Sequence, residues 1–184
     1  MPKSLKLIVV LTTICVISAA SLSYVYNNIA GPIIDERAKE AALKILNENL
    51  AGADDYKFIK DESTGKTKYY AAVKNGKAFG YAIPTSGAGF ADAIKLMVVT
   101  DGAGVISKVI VLGHVETPGY GDKIDTQPEF LQQFVNMSLA KDEFVINKTI
   151  DKIAGATYTS KGAVKGVEKA SIFYKDNIAN GGNK

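Results

Sequence analysis

The sequence predicts an α+β fold, an antiparallel sheet with flanking helices, preceded by one N-terminal transmembrane helix. Three observations lead to this prediction. Twenty uncharged residues run from Leu7 to Tyr26. Four strand-like runs follow in the middle of the chain, joined in pairs by tight turns, and helical periods lie before and after them. Strands grouped together, with helices outside the group, are typical of an α+β domain.

Composition limits the possible functions. Of the 184 residues, 47% are apolar and 22% charged, as in a folded globular protein. The net charge of +3 includes Lys3 and Lys6, and no basic block follows them, so we expect no nucleic-acid partner. One cysteine and one histidine cannot ligate an iron–sulfur cluster or a Cys/His zinc site. A redox role would therefore need an organic cofactor and no metal.

The run from Leu7 to Tyr26 predicts a membrane span, because a helix of this length rises about 30 Å, the thickness of the hydrocarbon core. Lys3 and Lys6 precede it, which favours a cytoplasmic N-terminus in a single-pass arrangement at the inner or plasma membrane. The alternative is a cleaved signal peptide, since Ser18-Ala19-Ala20 offers small residues near a plausible cleavage point. Both interpretations place the rest of the chain on the extracytoplasmic side.

A pattern that repeats at three and four residues follows, apolar except for Arg37. Its members are Ile33, Ile34, Arg37, Ala38, Ala41, Ala42, Ile45, Leu46 and Leu50. It predicts an amphipathic helix that leads away from the membrane. We therefore expect three segments, an anchor at 1–28, a connecting helix at 29–55 and an extracytoplasmic domain at 56–184.

Two hairpins are expected next. Strands at 69–73 and 78–83 meet at Asn75-Gly76, a dipeptide that tolerates the positive φ of a tight turn. Strands at 93–100 and 105–112 flank the turn Asp101-Gly102-Ala103-Gly104. Two neighbouring hairpins predict an antiparallel sheet.

Two helices follow the hairpins. A short one is predicted at 127–136, with Pro128 in its first turn. A longer one is predicted from Thr159 or Ser160 to about Asn177, because Val164, Val167 and Ala170 recur at helical spacing.

A first candidate site surrounds Thr157, in the run Asp151-Lys152-Ile153-Ala154-Gly155-Ala156-Thr157-Tyr158-Thr159-Ser160. Gly155 and Ala156 would let a bulky group approach the backbone, and the N–H groups of the following helix could hold a phosphate. A phosphorylated group on Thr157 would fit there and would be stabilised by these N–H groups. The alternative is a plain glycine turn in which Thr159 or Ser160 caps the helix.

A second candidate site is the run from His114 to Lys123. Pro118-Gly119 fits the centre of a type II turn, so Thr117 and Tyr120 would project from a tight loop. Such a loop could form one side of a binding site for a planar ring. The alternative for His114 is a hydrogen-bonded structural residue. The alternative for Glu116 is a carboxylate that accepts loop N–H bonds and organises the turn without touching a ligand.

A third run, Thr85-Ser86-Gly87-Ala88-Gly89-Phe90-Ala91-Asp92, is expected to be a glycine loop between two strands. It lacks the Gly-Lys-Ser/Thr end of a P-loop, so nucleotide hydrolysis is not expected. The chain also has no Gly-x-Ser-x-Gly elbow of a hydrolase.

Together these motifs resemble the FMN-binding domain family, in particular the G subunits of Rnf electron-transport complexes. The C subunits of sodium-translocating NADH:quinone reductases share the pattern. The matching residues are Gly80-Tyr81-Ala82-Ile83 with the glycine loop and Phe90-Ala91-Asp92, then His114, Glu116, Thr117, Pro118, Gly119 and Gly121, and finally Asp151, Gly155, Ala156, Thr157, Thr159 and Ser160. In order and spacing they cover most of residues 76 to 170, so the resemblance implies that the domain at 56–184 binds FMN.

The resemblance implies a covalent FMN, whose phosphate is esterified to Thr157 by a separate magnesium-dependent flavin transferase that uses FAD and releases AMP. Asp151 would belong to the recognition motif of that transferase, and Thr117 and Tyr120 would lie near the flavin ring. Two residues depart from the family pattern. Ala154 stands where Ser or Thr is usual, which weakens the expectation of flavinylation, and Tyr120 stands where Leu is frequent and offers a ring for stacking.

The resemblance also implies an electron-carrying subunit, not catalytic alone, that works beside other membrane subunits of an Rnf-type complex and is anchored in membrane lipid. That complex couples electron flow between ferredoxin and NAD to Na⁺ or H⁺ transport. The span has no ionisable residue, so ion movement would belong to the partner subunits. Alternatives are the C subunit of an NADH:quinone reductase, less favoured because the chain is short, a stand-alone anchored flavoprotein, and a noncatalytic extracytoplasmic binding module in which Thr157 is a turn residue.

Overall fold

A computed structural model describes residues 2–61 and 67–180, without the side chains at 27 and 30–38. The chain divides into two compact units, residues 1–45 and 46–184.

The N-terminal part of the chain, up to Asn49, is helical. Helix α1 spans Lys3–Val25, a π-helical turn follows at Tyr26–Ala30, and helix α2 spans Gly31–Asn49. Helix α1 buries none of its residues and is long and apolar enough to cross a membrane. The predicted apolar N-terminal helix is therefore confirmed as a helix of spanning length.

The predicted connecting helix corresponds to α2, which ends at Asn49. The first four residues of its predicted stripe, Ile33, Ile34, Arg37 and Ala38, have side chains outside the described part. Leu46 and Leu50, at the other end of the stripe, are buried.

The second unit contains a five-stranded antiparallel sheet whose strands pair in sequence order. The strands are β1 (Asp55–Lys60), β2 (Thr67–Lys74), β3 (Lys77–Ala88), β4 (Ala93–Asp101) and β5 (Ile106–Gly113). The predicted α+β fold with an antiparallel sheet is confirmed. Strand β1 was not predicted, because it lies at the sheet edge and its apolar residues are too few to show a period.

Both predicted hairpins form. Asn75 and Gly76 have φ angles of 51° and 75°, as a tight turn between β2 and β3 requires. In the turn between β4 and β5, Oδ1 of Asp101 accepts the N–H groups of Ala103 and Val105 at 2.9 Å each. Local turn chemistry thus sets the register of both hairpins.

The prediction of a glycine loop at 85–92 is wrong for residues 85–88. These residues belong to β3, which continues to Ala88 and pairs there with Ala93 of β4. Only residues 89–92 form the loop. Gly87 serves close packing: a Cβ at this position would lie 2.6 Å from the carbonyl carbon of Gly162 in the last helix. The glycine therefore lets a helix rest directly on the strand.

The remaining helices are α3 (Lys123–Thr126), α4 (Pro128–Gln132) and α5 (Thr157–Tyr174), with a π-helical turn at Lys175–Ala179. The helix predicted at 127–136 ends four residues early. The reason is that Asn136 takes a φ of 69° and donates its N–H to Ile106, so this segment pairs with the start of β5.

Helix α5 starts at Thr157, two residues before the predicted start. Ser160 does not cap the helix N-terminus, because its hydroxyl points inward, accepting the N–H of Ile153 and donating to the carbonyl of Ala156, both at 2.9 Å. The helix packs on β3 and β4 and buries the predicted stripe. The hydrophobic core lies between them and includes Ile83, Ile94, Leu96, Val98, Val164 and Val167.

Candidate functional site

The three sequence runs converge on one cavity of about 270 Å³. It lies where the 89–92 loop, the loop after β5 and the N-terminus of α5 meet. Its lining residues are Phe90, Glu116, Thr117, Tyr120, Gly121, Gly155, Ala156, Thr157, Tyr158 and Thr159.

Glu116 joins the three runs. Its carboxylate accepts the N–H groups of Phe90 at 2.9 Å and Ala91 at 3.0 Å, and it accepts a short hydrogen bond from the hydroxyl of Thr159. Glu116 is 6% exposed and Thr159 is 2% exposed. A buried carboxylate needs such donors, since an unpaired buried charge is costly. We call Glu116, Thr159, Gly89 and Gly121 the Glu116 cluster.

The two glycines of the Glu116 cluster make room for the carboxylate. A Cβ on Gly121 would lie 2.6 Å from Oε2 of Glu116 and 2.8 Å from the hydroxyl oxygen of Thr159. A Cβ on Gly89 would lie 2.6 Å from the carbonyl oxygen of Asp92. Side chains at these positions would push the loops apart, so both glycines are needed for close approach.

Burial of Glu116 acts to raise the pKa of its carboxyl, but the hydrogen bonds from Thr159, Ala91, Phe90 and Asp92 outweigh it. The net effect is a pKa below the ordinary value of 4.5. Glu116 is therefore an anion at neutral pH and gives the inner wall of the cavity a fixed negative charge.

The turn before α5 gives the cavity its second wall. Gly155 has a φ of 79°, a conformation that favours glycine, and the N–H of Ala156 bonds to the carbonyl of Ile153 at 3.1 Å. Helix α5 then begins without a side-chain cap. The N–H groups of Thr157, Tyr158 and Thr159 have no acceptor within the described part of the chain. Such N–H groups, at the positive end of a helix dipole, suit an anion.

The hydroxyls near this helix terminus differ in accessibility. Those of Thr159 and Ser160 are buried and hydrogen-bonded. Thr157 is partly exposed, lines the cavity, and makes no side-chain hydrogen bond with another described residue. Of the three, only Thr157 could react without breaking an internal hydrogen bond.

Three aromatic side chains border the cavity, and we call them the aromatic rim. Phe90, Tyr120 and Tyr158 are 70%, 62% and 67% exposed. The rings of Phe90 and Tyr158 lie 6.0 Å apart between centroids and are tilted by 55°. Exposed aromatic rings clustered beside a cavity are typical of an interaction site, and their faces can stack on a planar ligand.

The turn at 117–120 places Thr117 and Tyr120 at the cavity. The N–H of Tyr120 bonds to the carbonyl of Thr117 at 3.2 Å, and Gly119 has a φ of 79°. These are the features of the type II turn expected from Pro118-Gly119.

Four residues expected at the site do not line the cavity. They are His114, Gly119, Asp151 and Ser160. The ring of His114 hydrogen-bonds through Nε2 to Asp125 at 2.8 Å and accepts the N–H of Glu116 at Nδ1, at 3.1 Å. It thereby orients the backbone at Glu116. The carboxylate of Asp151 is exposed, while its backbone N–H and carbonyl bond to the side chain of Gln133 at 2.7 and 3.2 Å.

Three lining residues were not assigned to the site from the sequence, namely Phe90, Gly121 and Tyr158. Phe90 and Gly121 stand in the matched runs, and Tyr158 follows Thr157 directly. Their positions next to assigned residues in the sequence could have indicated that they belong to the site. In the described ranges, no group of three or more His, Cys, Asp or Glu residues could hold a metal ion.

Comparisons with known proteins identify the family of the chain. A family model for the FMN-binding domain matches residues 89–171, which include all ten residues of the cavity lining. The chain is 30% identical over 165 residues to the G subunit of the proton-translocating ferredoxin:NAD(+) oxidoreductase complex of Clostridium ljungdahlii, covering 87% of this chain and 85% of that protein. It is 34% identical over 134 residues to the G subunit of the ion-translocating oxidoreductase complex of Stutzerimonas stutzeri, covering 69% of this chain and 58% of that protein.

The fold is also similar to a crystal structure of the C subunit of the Na(+)-translocating NADH-quinone reductase from Parabacteroides distasonis. The TM-score is 0.51 at 17% identity, over 67% of this chain and 76% of that one. This likeness concerns the fold alone. The chain therefore belongs to the FMN-binding domain family that includes the G subunits of ion-translocating oxidoreductase complexes.

Proposed function

We propose that this chain carries one FMN, covalently joined to Thr157, and passes electrons as a subunit of a membrane ion-translocating ferredoxin:NAD⁺ oxidoreductase complex of the Rnf type. The observation that carries the proposal is the cavity itself. It combines an accessible threonine at an uncapped helix N-terminus with three exposed aromatic rings.

The residues present fit FMN from both ends. The phosphate suits the N–H groups that open α5, and the isoalloxazine suits the aromatic rim. A cavity of about 270 Å³ is at the small end of ligand pockets, so the ring would be only partly enclosed. Partial exposure suits a carrier that exchanges electrons with partner proteins and needs no substrate pocket.

Attachment would proceed by phosphoryl transfer. The oxygen of the Thr157 hydroxyl forms a bond to the FMN phosphorus of FAD, the P–O–P bridge breaks, and AMP leaves with the bridging oxygen. The hydroxyl proton passes to a base on the flavin transferase or to water. The chain's part is to present Thr157 on a turn held open by Gly155 and Ala156. Asp151, exposed six residues earlier, is available to the transferase.

Electron transfer is the work of the bound flavin, which exchanges electrons singly or in pairs. The protein fixes the ring in place and keeps it attached, because a noncovalent site outside the cytoplasm would lose its cofactor by mass action. The α1 helix would hold the domain beside its membrane partners at high effective concentration. The two lysines before the apolar run favour a cytoplasmic N-terminus and an extracytoplasmic flavin.

The test is to express the full chain in a bacterial membrane together with a flavin transferase, and to measure intact mass and in-gel flavin fluorescence. The wild type should gain the mass of one FMN less water. Thr157→Ala should gain nothing, whereas Thr157→Ser, which keeps the hydroxyl, should be modified. If the wild type stayed unmodified while the transferase was active on another acceptor, the proposal would be refuted. The chain would then be better explained as a binding module without flavin.

A further inference from the structure

We infer that Lys123 is a positioning residue whose ammonium pairs with the phosphate of the FMN ester on Thr157. This inference rests on the proposed function and concerns the phosphate end of the same cavity. Lys123 opens α3 and does not itself line the cavity.

The ammonium of Lys123 lies beside the turn that precedes Thr157. Nζ of Lys123 donates to the carbonyl of Ala154 at 3.2 Å. A Cβ built on Gly155 would lie 3.8 Å from the same Nζ. The charge is therefore held over the turn that leads into Thr157, within three residues of the reacting hydroxyl.

No ion pair in the described part of the chain neutralises the charge of Lys123. The four ion pairs within the described ranges do not include Lys123. An ammonium has three donors, and one carbonyl uses one of them. Half-buried, Lys123 thus keeps a charge and two donors available to an anion at the turn.

The cavity wall itself carries a negative charge. Glu116 places a buried carboxylate in the cavity lining, and its negative charge would repel an incoming phosphate. The dipole of α5 offsets part of this repulsion. The ammonium of Lys123, beside Gly155, offsets a further part. Lys123 would accordingly orient FMN, with the phosphate toward Gly155 and Thr157 and the ring toward the aromatic rim.

The test compares flavinylated and unflavinylated forms of the full chain for wild type, Lys123→Met, Lys123→Arg and Lys141→Met. Met keeps the apolar stem of lysine without its charge, Arg keeps the charge, and Lys141 is an exposed lysine outside the cavity lining. For each chain, the measured quantity is the rise in melting temperature on flavinylation. Taking this difference cancels any effect of losing the Ala154 hydrogen bond in both forms.

We expect the rise to be smaller by about 2 to 4 °C in Lys123→Met than in the wild type. The rise should be kept in Lys123→Arg and Lys141→Met, and the gap should close in 1 M salt because salt screens the pairing. Moreover, the ³¹P resonance of the ester should shift in Lys123→Met alone. An equal rise and an unshifted resonance in Lys123→Met would overturn the inference while leaving flavinylation intact. A wild type without flavin would instead refute the proposed function.

Discussion

The Glu116 cluster and the rim of the cavity, by which we mean Thr157 together with the aromatic rim, are built in opposite ways. In the cluster, Glu116 and Thr159 are buried, their polar atoms are paired, and two glycines leave no spare room. At the rim, Thr157 is partly exposed without a side-chain partner in the described part of the chain, and Phe90 and Tyr158 are more than half exposed.

This difference separates two tasks. The cluster ties together three segments that are distant in sequence and so gives the cavity its shape. The rim presents groups that folding leaves unused and that a ligand could engage. Substitutions in the cluster should therefore reduce the free energy of unfolding, whereas substitutions at the rim should change flavin attachment or ring environment at nearly constant stability.

The largest effect on stability is expected for Glu116→Ala. It leaves the N–H groups of Phe90 and Ala91 and the hydroxyl of Thr159 without their acceptor, at a cost of about 3 kcal/mol in the free energy of unfolding. Urea denaturation of the unflavinylated chain measures it. Glu143→Ala is the matched control, since its ion pair with Lys148 is exposed and should contribute less than about 1 kcal/mol. Equal losses in the two variants would show that the cluster does not tie the loops together.

A smaller loss is expected for Gly121→Ala, about 2 kcal/mol, because the added methyl group would overlap Glu116 and Thr159. Gly119→Ala should cost about 1 kcal/mol, since the site is open but its φ is positive. Gly113→Ala meets no atom within 4 Å and serves as the control. If thermal unfolding ranked the three variants in another order, packing against the carboxylate would not be the reason for Gly121.

The pH dependence of stability sharpens the comparison further. The folded-state pKa of Glu116 is depressed, so the unfolded chain binds more protons in the acid range and stability rises with pH there. This contribution is fully present above the ordinary pKa of 4.5 and is lost as pH falls through the lower folded-state value. Melting temperatures between pH 7 and pH 3 should fall more steeply in the wild type than in Glu116→Gln. Parallel curves would mean that the carboxylate is not stabilised by folding.

The smallest effect on stability is expected at the rim. Phe90→Ala and Tyr158→Ala remove exposed rings, so the free energy of unfolding should change by no more than about 0.5 kcal/mol. Flavin should still attach to Thr157, but its fluorescence should be quenched less because fewer rings lie beside it. Ile172→Ala, another exposed apolar residue, is the control for nonspecific surface effects. Unchanged fluorescence in both rim variants would place the flavin ring elsewhere.

The sequence predicted those features that depend on neighbouring residues. The Asn75-Gly76 and 101–104 turns and the type II turn at Pro118-Gly119 are local, and each formed as expected. The antiparallel sheet followed from the hairpins. Strand β1 escaped prediction because the sheet edge imposes little pattern on its residues.

The errors arose where distant segments decide the conformation. Gly87 was expected to be in a loop, but it pairs in β3 because α5 rests on it through Gly162. Glu116 was expected either at the cofactor site or as an acceptor of loop N–H bonds, and it lines the cavity while accepting such bonds. Only the identity of the donors, which lie in the distant loop at 89–92, could not be read from spacing. Ser160 was assigned as a possible cap, but its hydroxyl serves the turn at 153–156.

The most direct test of the whole account is to locate the FMN ester by proteolysis and tandem mass spectrometry of the flavinylated wild type. Thr117, Thr157, Thr159 and Ser160 all offer hydroxyls near the cavity. We expect the modification on Thr157 alone, because Thr159 and Ser160 are buried and hydrogen-bonded, and Thr117 belongs to the turn at 117–120 and not to the first turn of α5. An ester on any of the other three hydroxyls would contradict it.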